Sequence, residues 1–250
     1  MFKFGVIAEG ASDQLVIENI LVGYFQGQEE PSITFVQPPP ASVATPSPPG
    51  GWTRVFDSLK RGDCQQVLQF NDFVVIQIDT DVQEEPGFDV PRREGGSELS
   101  LPDRVARVIA RLKRDVEPEF CTAHEHRILF AIAVDSIECW LLPLLYVNNK
   151  AQKTTGCLDA ANDTLRKKKM DGLSSAEGTK FPRAYERASR EYTKQKSLTK
   201  HRSRNPSLEL FVKQLDDLQG RLNASQNAAP QEPEDVSRTD ENSATEPPGQ

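Results

Sequence analysis

Three short apolar runs, each ending at or close to a carboxylate, constrain this chain more than any other feature. FKFGVIA closes on Glu9-Gly10, FVVIQI closes on Asp79, and ILFAIAV leads into a segment that carries Glu138. Each run is short and bounded by Gly, Asp or Ser, so each reads as a buried strand. Ser32–Val36 (SITFV) supplies a fourth. Between them, apolar residues recur at helical spacing. Leu15, Val16, Ile20 and Tyr24 mark a helix over about residues 13–25 with Ser12 as its cap. Trp52–Lys60 is a short helix, and Val105, Val108, Ile109, Leu112 and Val116 form one stripe of a longer one. Strand and helix therefore alternate, which predicts an α/β domain with a largely parallel sheet flanked by helices. In such open sheets ligands bind beyond the carboxyl ends of the strands, where these acids fall.

Residues 1–149 read as the α/β core, interrupted by a proline-rich loop at 37–51 (QPPPASVATPSPPGG) and a long polar loop at 82–100. Residues 150–222 read as a basic helical region packed on that core. Helices are predicted near 158–169, 182–196 and 205–222, the last with Asn205 as cap and Pro206 at its first position. Residues 223–250 hold one Val and no Leu, Ile or aromatic residue, and are predicted to be a disordered acidic tail.

The net charge of −7 conceals an asymmetry. Residues 1–149 carry 12 Lys/Arg against 22 Asp/Glu, a balance of −10, whereas residues 150–213 carry 16 against 7, a balance of +9. Carboxylates suit a cation, and a basic surface suits phosphates. No apolar run approaches the roughly 20 residues of a membrane helix, and the N-terminus lacks a signal-peptide h-region. The four cysteines are widely spaced without a CxxC, so they are expected to be reduced, mostly buried thiols of a cytoplasmic protein.

Glu9, Asp13 one turn later, Asp79, Asp81 and Glu138 are the candidate metal ligands. Residues two apart on an extended chain point the same way, which aims Asp79 and Asp81 at one site. Carboxylates gathered without cations repel one another. A divalent ion relieves this, and an all-oxygen donor set favours Mg2+ or Mn2+ over zinc. Against that stands the plainer role of a strand-end acid as a turn former or helix cap. His124-Glu125-His126 lacks further ligands at zinc spacing and reads as a solvent-facing turn. Arg183, Arg187, Arg190 and Lys194 belong to a sustained basic segment, Arg166 to Arg204, suited to a nucleic-acid backbone, with Tyr185 and Tyr192 placed either to stack on bases or to pack. No P-loop, nucleophile elbow or GxGxxG occurs.

EGASD (Glu9–Asp13) matches an EGxxD pattern and IDTD (Ile78–Asp81) a hydrophobic-DxD pattern. In this order the two resemble the motifs of Toprim domains, including those of the overcoming-lysogenisation-defect nucleases. SIECWLLP (Ser136–Pro143) and RNPSLELFVKQL further resemble segments of uncharacterised bacterial Toprim-like proteins. The resemblance covers roughly residues 1–215. It implies a four-stranded parallel core binding Mg2+, with Glu9 in acid/base catalysis or on the metal, Asp79 and Asp81 on the metal, and Asp13 supporting the site. It also implies phosphodiester cleavage in DNA or RNA, defence against foreign nucleic acid, and a separate ATPase partner, since this chain contains no ATPase domain. The nuclease branch also uses a lysine that sequence position alone does not assign here. The alternative expectation is a binding module that keeps the fold without cleaving.

Overall fold

The computed structural model describes residues 1–40 and 50–227; most of the proline-rich segment and residues 228–250 of the tail lie outside them. Four parallel strands form the central sheet: β1 (Lys3–Ile7), β2 (Ser32–Gln37), β3 (Phe73–Asp79) and, after a two-stranded hairpin of β4 (Arg93–Glu94) and β5 (Ser97–Glu98), β6 (Ile128–Ala133). Their spatial order is β2-β1-β3-β6. Phe4 to Ile7 pair in register with Phe73 to Ile76, and Val74 to Asp79 pair with Ile128 to Ala133. This brings the ends of β1, β3 and β6 to one edge.

Every residue of β3 and β6 is buried. Covered on both faces, these strands read as continuous apolar runs rather than alternating ones. Phe4, Val6, Phe73, Val75, Leu129 and Ala131 share one core with α1 (Ala11–Tyr24), α6 (Glu138–Leu145), α7 (Cys157–Lys167), α8 (Pro182–Ser189) and α10 (Pro206–Asn227). Ile7, Val74, Ile76, Ile128 and Phe130 face a second core built with α2 (Trp52–Lys60), α3 (Asp63–Phe70) and α4 (Leu101–Asp115). The two short helices α5 (Pro118–Ala123) and α9 (Gln195–His201) complete the layers. Among the described residues no helix is long and apolar enough to cross a membrane.

The C-terminal helices share a core with the sheet. Trp140 of α6 is fully buried, stacks on Phe211 with ring centroids 5.6 Å apart, and donates its indole N–H to Ser207 Oγ at 2.8 Å. Asn205 caps α10, its Oδ1 accepting from the Ser207 and Leu208 N–H groups, while its Nδ2 donates to the Cys139 carbonyl at 3.2 Å. The ECWLLP and NPSLELF segments thus form one packed unit. Gln214 of α10 both donates to the Phe130 carbonyl (2.8 Å) and accepts its N–H (2.9 Å), closing the outer edge of β6.

Several expectations shift. Gly10, not Ser12, is the residue before α1, and Ser12 is buried within the helix. The segment before β3, to which the sequence reading assigns no helix, forms α3. The expected helix 182–196 breaks into α8, a 3-10 turn and α9, and α10 continues to Asn227, past the expected tail boundary. Cys139 and Cys157 form a disulfide, correcting the reading of four free thiols; Cys64 and Cys121 are free and buried.

Gly5 lets α3 lie directly against β1: a Cβ there would sit 2.1 Å from Val67 Cγ1. Gly5→Ala should therefore lower stability by about 1–3 kcal/mol through overpacking. Urea unfolding should show this as a lower midpoint with an unchanged slope.

Candidate active site

Glu9 and Asp79 are held by backbone and side-chain hydrogen bonds. Glu9 lies two residues beyond the end of β1, and its Oε1 accepts the Asp79 N–H at 2.7 Å. Gln77, fully buried in β3, closes a ring: its Oε1 accepts the Glu9 N–H at 3.2 Å and its Nε2 donates to Asp79 Oδ1 at 2.9 Å. Asp13 lies in the first turn of α1, 2% exposed, and its Oδ1 has no hydrogen-bond partner. Gly10 permits this approach, since a Cβ there would lie 2.9 Å from Asp13 Oδ2.

Asp81 is exposed while Asp79 is buried, because the chain leaves the extended conformation after β3. The Thr80 and Asp81 N–H groups both donate to the Asp135 carbonyl, and Asp81 Oδ1 accepts the Val82 N–H. Arg92 donates to the Thr80 carbonyl at 3.0 Å and also to that of Asp81, bracing the same turn. Alternation along an extended strand therefore does not describe the D-T-D segment, and Asp81 stands at the rim.

Glu138 opens α6 and is 1% exposed. It accepts hydrogen bonds from the Tyr185 hydroxyl and pairs with Lys180 at 2.9 Å. Lys180, unassigned by sequence position, lies just before α8, and its side chain remains 38% exposed, open to an incoming ligand. Its ammonium also lies 5.6 Å from the Tyr185 ring centroid.

The electrostatics divide the acids into two kinds. Burial, reinforced by the Asp13 charge, pushes the Glu9 carboxyl up to about 8 despite the Asp79 N–H. Burial raises Asp13 to about 6 against the pull of Lys180, and burial with the Glu9 and Asp13 charges raises Asp79 well above the ordinary carboxylate range. Burial works on Glu138 too, but Lys180, Ser136 and Tyr185 outweigh it and hold the group ionised below its usual value. Lys180 in turn is held protonated: Asp13, Glu138 and Asp79 outweigh the effect of its burial. One ammonium cannot neutralise three buried carboxylates and the part-buried Glu9, so Glu9, Asp13 and Asp79 either share protons or meet a cation.

An all-oxygen donor set with an orphaned, buried Asp13 oxygen fits a hard divalent ion. Among the described residues these acids do not gather three ligand oxygens within 4.8 Å; the one group that close is Asp135, Cys139 and Cys157. Holding an ion with three of the acids therefore involves side-chain adjustment.

The expected nucleic-acid contacts are exposed, and Arg187, Arg190 and Lys194 are locally paired. Arg187 bonds Asp171 at 2.7 Å, Lys194 bonds Glu191 at 2.8 Å, and Arg190 approaches Glu186 at 3.9 Å. Arg183 is exposed on the first turn of α8, close in sequence to Lys180. Tyr185 and Tyr192 are both fully buried, Tyr192 donating to the Trp140 carbonyl, so packing rather than base stacking is their role. His124 stacks on Phe120 and Glu125 pairs with Lys113.

Gln77 and Lys180 are the site residues that sequence reasoning passed over. Gln77 had a signal, as the one polar residue inside an apolar strand. Lys180 had none that set it apart from its basic neighbours. No protein-family model, curated protein or solved structure matches the chain.

The raised carboxyls predict a direction for pH. In chelator, the folded chain keeps protons that the unfolded chain releases, so these groups stabilise fully below about pH 4. That contribution is lost as pH rises through about 6 for Asp13 and about 8 for Glu9. His201, lowered by burial and by Lys200 and Arg204, works in the opposite sense. The readout is therefore a difference: from pH 5 to 8.5 the melting temperature of wild type should fall relative to Glu9→Gln. A rise would contradict the assigned burial.

Proposed function

We propose that this chain is a Toprim-like, Mg2+- or Mn2+-dependent nuclease that hydrolyses phosphodiester bonds in DNA or RNA. The observation that carries the reading is the group formed by the buried Asp13 and Asp79 with the part-buried Glu9, with the unpartnered Asp13 oxygen and a lysine at its margin. Asp79 and Asp13 would hold the ion, with Glu9 beside them and Asp81 reaching in from the rim. A bound divalent ion supplies charge stabilisation at a phosphoryl oxygen and acidifies bound water.

The chain's own residues account for the rest. Glu9, with its raised pKa, is suited to take a proton from an attacking water and to return one to a leaving oxygen. Gln77 keeps the Glu9 and Asp79 segments in register through its two amide bonds. Lys180, held charged, can donate to a non-bridging phosphoryl oxygen from its exposed side. Glu138 then serves as the partner that orients Lys180, together with Tyr185, rather than as a metal ligand; this revises the role assigned to it from sequence. The exposed basic residues Arg183, Arg187, Arg190 and Lys194 would track the backbone of the nucleic acid. A cytoplasmic location, action against foreign nucleic acid and a separate ATPase partner complete the proposal, the last two resting on the Toprim resemblance. The rival reading, a binding module that does not cleave, is favoured by one observation: Lys180 is already engaged by Glu138.

Cleavage assays with Mg2+ and Mn2+ on single- and double-stranded DNA and RNA separate the two. Asp79→Asn and Glu9→Gln should each lower cleavage by roughly the 10²–10⁴-fold typical of losing a general acid/base or an electrostatic catalyst, while nucleic-acid binding survives. Lys180→Met should lower turnover more than it weakens binding. A wild type inactive on every substrate, with or without a candidate ATPase, would leave the binding module as the function. An active Asp79→Asn would show that the site is elsewhere.

A further inference from the structure

A second set of ligand atoms converges where β6 turns into α6, beside the carboxylate group but chemically unlike it. The Asp135 carboxylate and the Cys139 and Cys157 sulfurs all lie within 4.8 Å of one another. Contacts and backbone conformations other than the sulfur–sulfur bond also position each of them. Asp135 adopts a left-handed conformation (φ 66°), its N–H donates to Thr80 Oγ1 at 2.9 Å, and its carbonyl receives the Thr80 and Asp81 N–H groups. Cys139 lies in the first turn of α6, its N–H bonded to the Ser136 carbonyl. Cys157 is the first residue of α7, directly after Gly156, which is also left-handed at φ 59°. The Asn205 side chain donates to the Cys139 carbonyl, fixing that residue from α10 as well.

We propose that Asp135, Cys139 and Cys157 form a binding site for a zinc-class divalent ion when the cysteine pair is reduced. The disulfide is the closed, metal-free state of the same site. Reduction by a trialkylphosphine in water balances as follows: phosphorus attacks one sulfur and the S–S bond breaks. Water then supplies the oxygen of the phosphine oxide, and its two hydrogens end on the two sulfurs. Zn2+ then takes both sulfurs as thiolates, releasing their two protons, and one Asp135 oxygen. Three protein ligands leave a fourth tetrahedral position for water.

Zn–S bonds of about 2.3 Å place tetrahedral ligand atoms about 3.8 Å apart, so the two bonded sulfurs separate to that distance once reduced, with the Asp135 carboxylate already within 4.8 Å of both. The chemistry selects against Mg2+, which prefers oxygen, and for zinc, which accepts thiolate. The sulfurs are buried, at 0 and 1% exposure, and Asp135 is half-buried, so the ion enters from the Asp135 side. In a reducing compartment the dithiol is the prevailing state. An ion here would tie the β6–α6 turn to α7 one residue from Glu138, and so brace the partner of Lys180.

Cobalt tests this on the full chain, because a thiolate-bound Co2+ gives a sulfur-to-cobalt charge-transfer band that an all-oxygen site cannot give. Protein reduced with a trialkylphosphine and freed of it anaerobically should bind one equivalent of Co2+ with that band, and Zn2+ should abolish it by displacement. The oxidised protein should show no band. Cys157→Ser should lose it, and Asp135→Asn, which keeps a residue tolerant of the left-handed conformation, should weaken binding by at least the roughly tenfold that even an outer partner contributes. Asp79→Asn should retain the band in full, which separates this site from the proposed catalytic one. A reduced wild type without the band, or a Cys157→Ser variant that keeps it, would overturn the proposal. The comparison of oxidised with reduced wild type decides the matter even where a variant does not fold.

Discussion

Everything at the sheet edge follows from gathering the buried Asp13 and Asp79 and the part-buried Glu9 with too little positive charge. A buried carboxylate loses its hydration, and neighbours of like charge add to the cost. The fold offsets part of this with directed bonds. The Asp79 N–H reaches Glu9, and Gln77 reaches both, while Asp13 Oδ1 is left with nothing. Such a group is unfavourable as mere architecture and well suited to a hard cation or a shared proton, and that is the ground for proposing a site there.

The counter-charge comes from far along the chain, which explains why the basic region is not an appendage. Lys180 is delivered by a segment pinned at Leu173, whose carbonyl accepts the Phe181 N–H. Tyr185 then anchors α8 beneath it through Glu138. The α8 helix is tied to α1 by Asn19, which donates to the Glu186 carbonyl and Ser189 Oγ. Gly23 lets α1 approach the turn after α8 so closely that a Cβ would lie 1.7 Å from the Tyr192 carbonyl oxygen. The same α1 helix carries Asp13. Helix packing in the C-terminal half therefore sets the distance between the lysine and the acids.

Much of this was legible in the sequence. Apolar runs ending at Glu9 and Asp79 located the strands and the edge they share, and the Asn205-Pro206 pair located the start of α10, because both signals are local. Three things were not. The D-T-D alternation failed because the Asp135 carbonyl captures the Thr80 and Asp81 N–H groups, a contact across the sheet. Tyr185 and Tyr192 share a helical period that fits stacking or packing equally, and only the tertiary fold buries them. Lys180 reaches Glu138 across 42 residues of chain, and no local pattern marks it among its basic neighbours. The cysteine pairing belongs to the same class, set by how α6 meets α7 rather than by spacing.

The central claim is that the buried acids form one cation site. An anomalous-difference map from crystals grown with Mn2+ tests it most directly. The account predicts a single strong peak at the end of β3, about 2.0–2.3 Å from oxygens of Asp79 and at least one of Asp13 and Glu9, with Lys180 still on Glu138. A map with no peak there, and Glu9 and Asp79 in the same hydrogen-bonded ring, would contradict it.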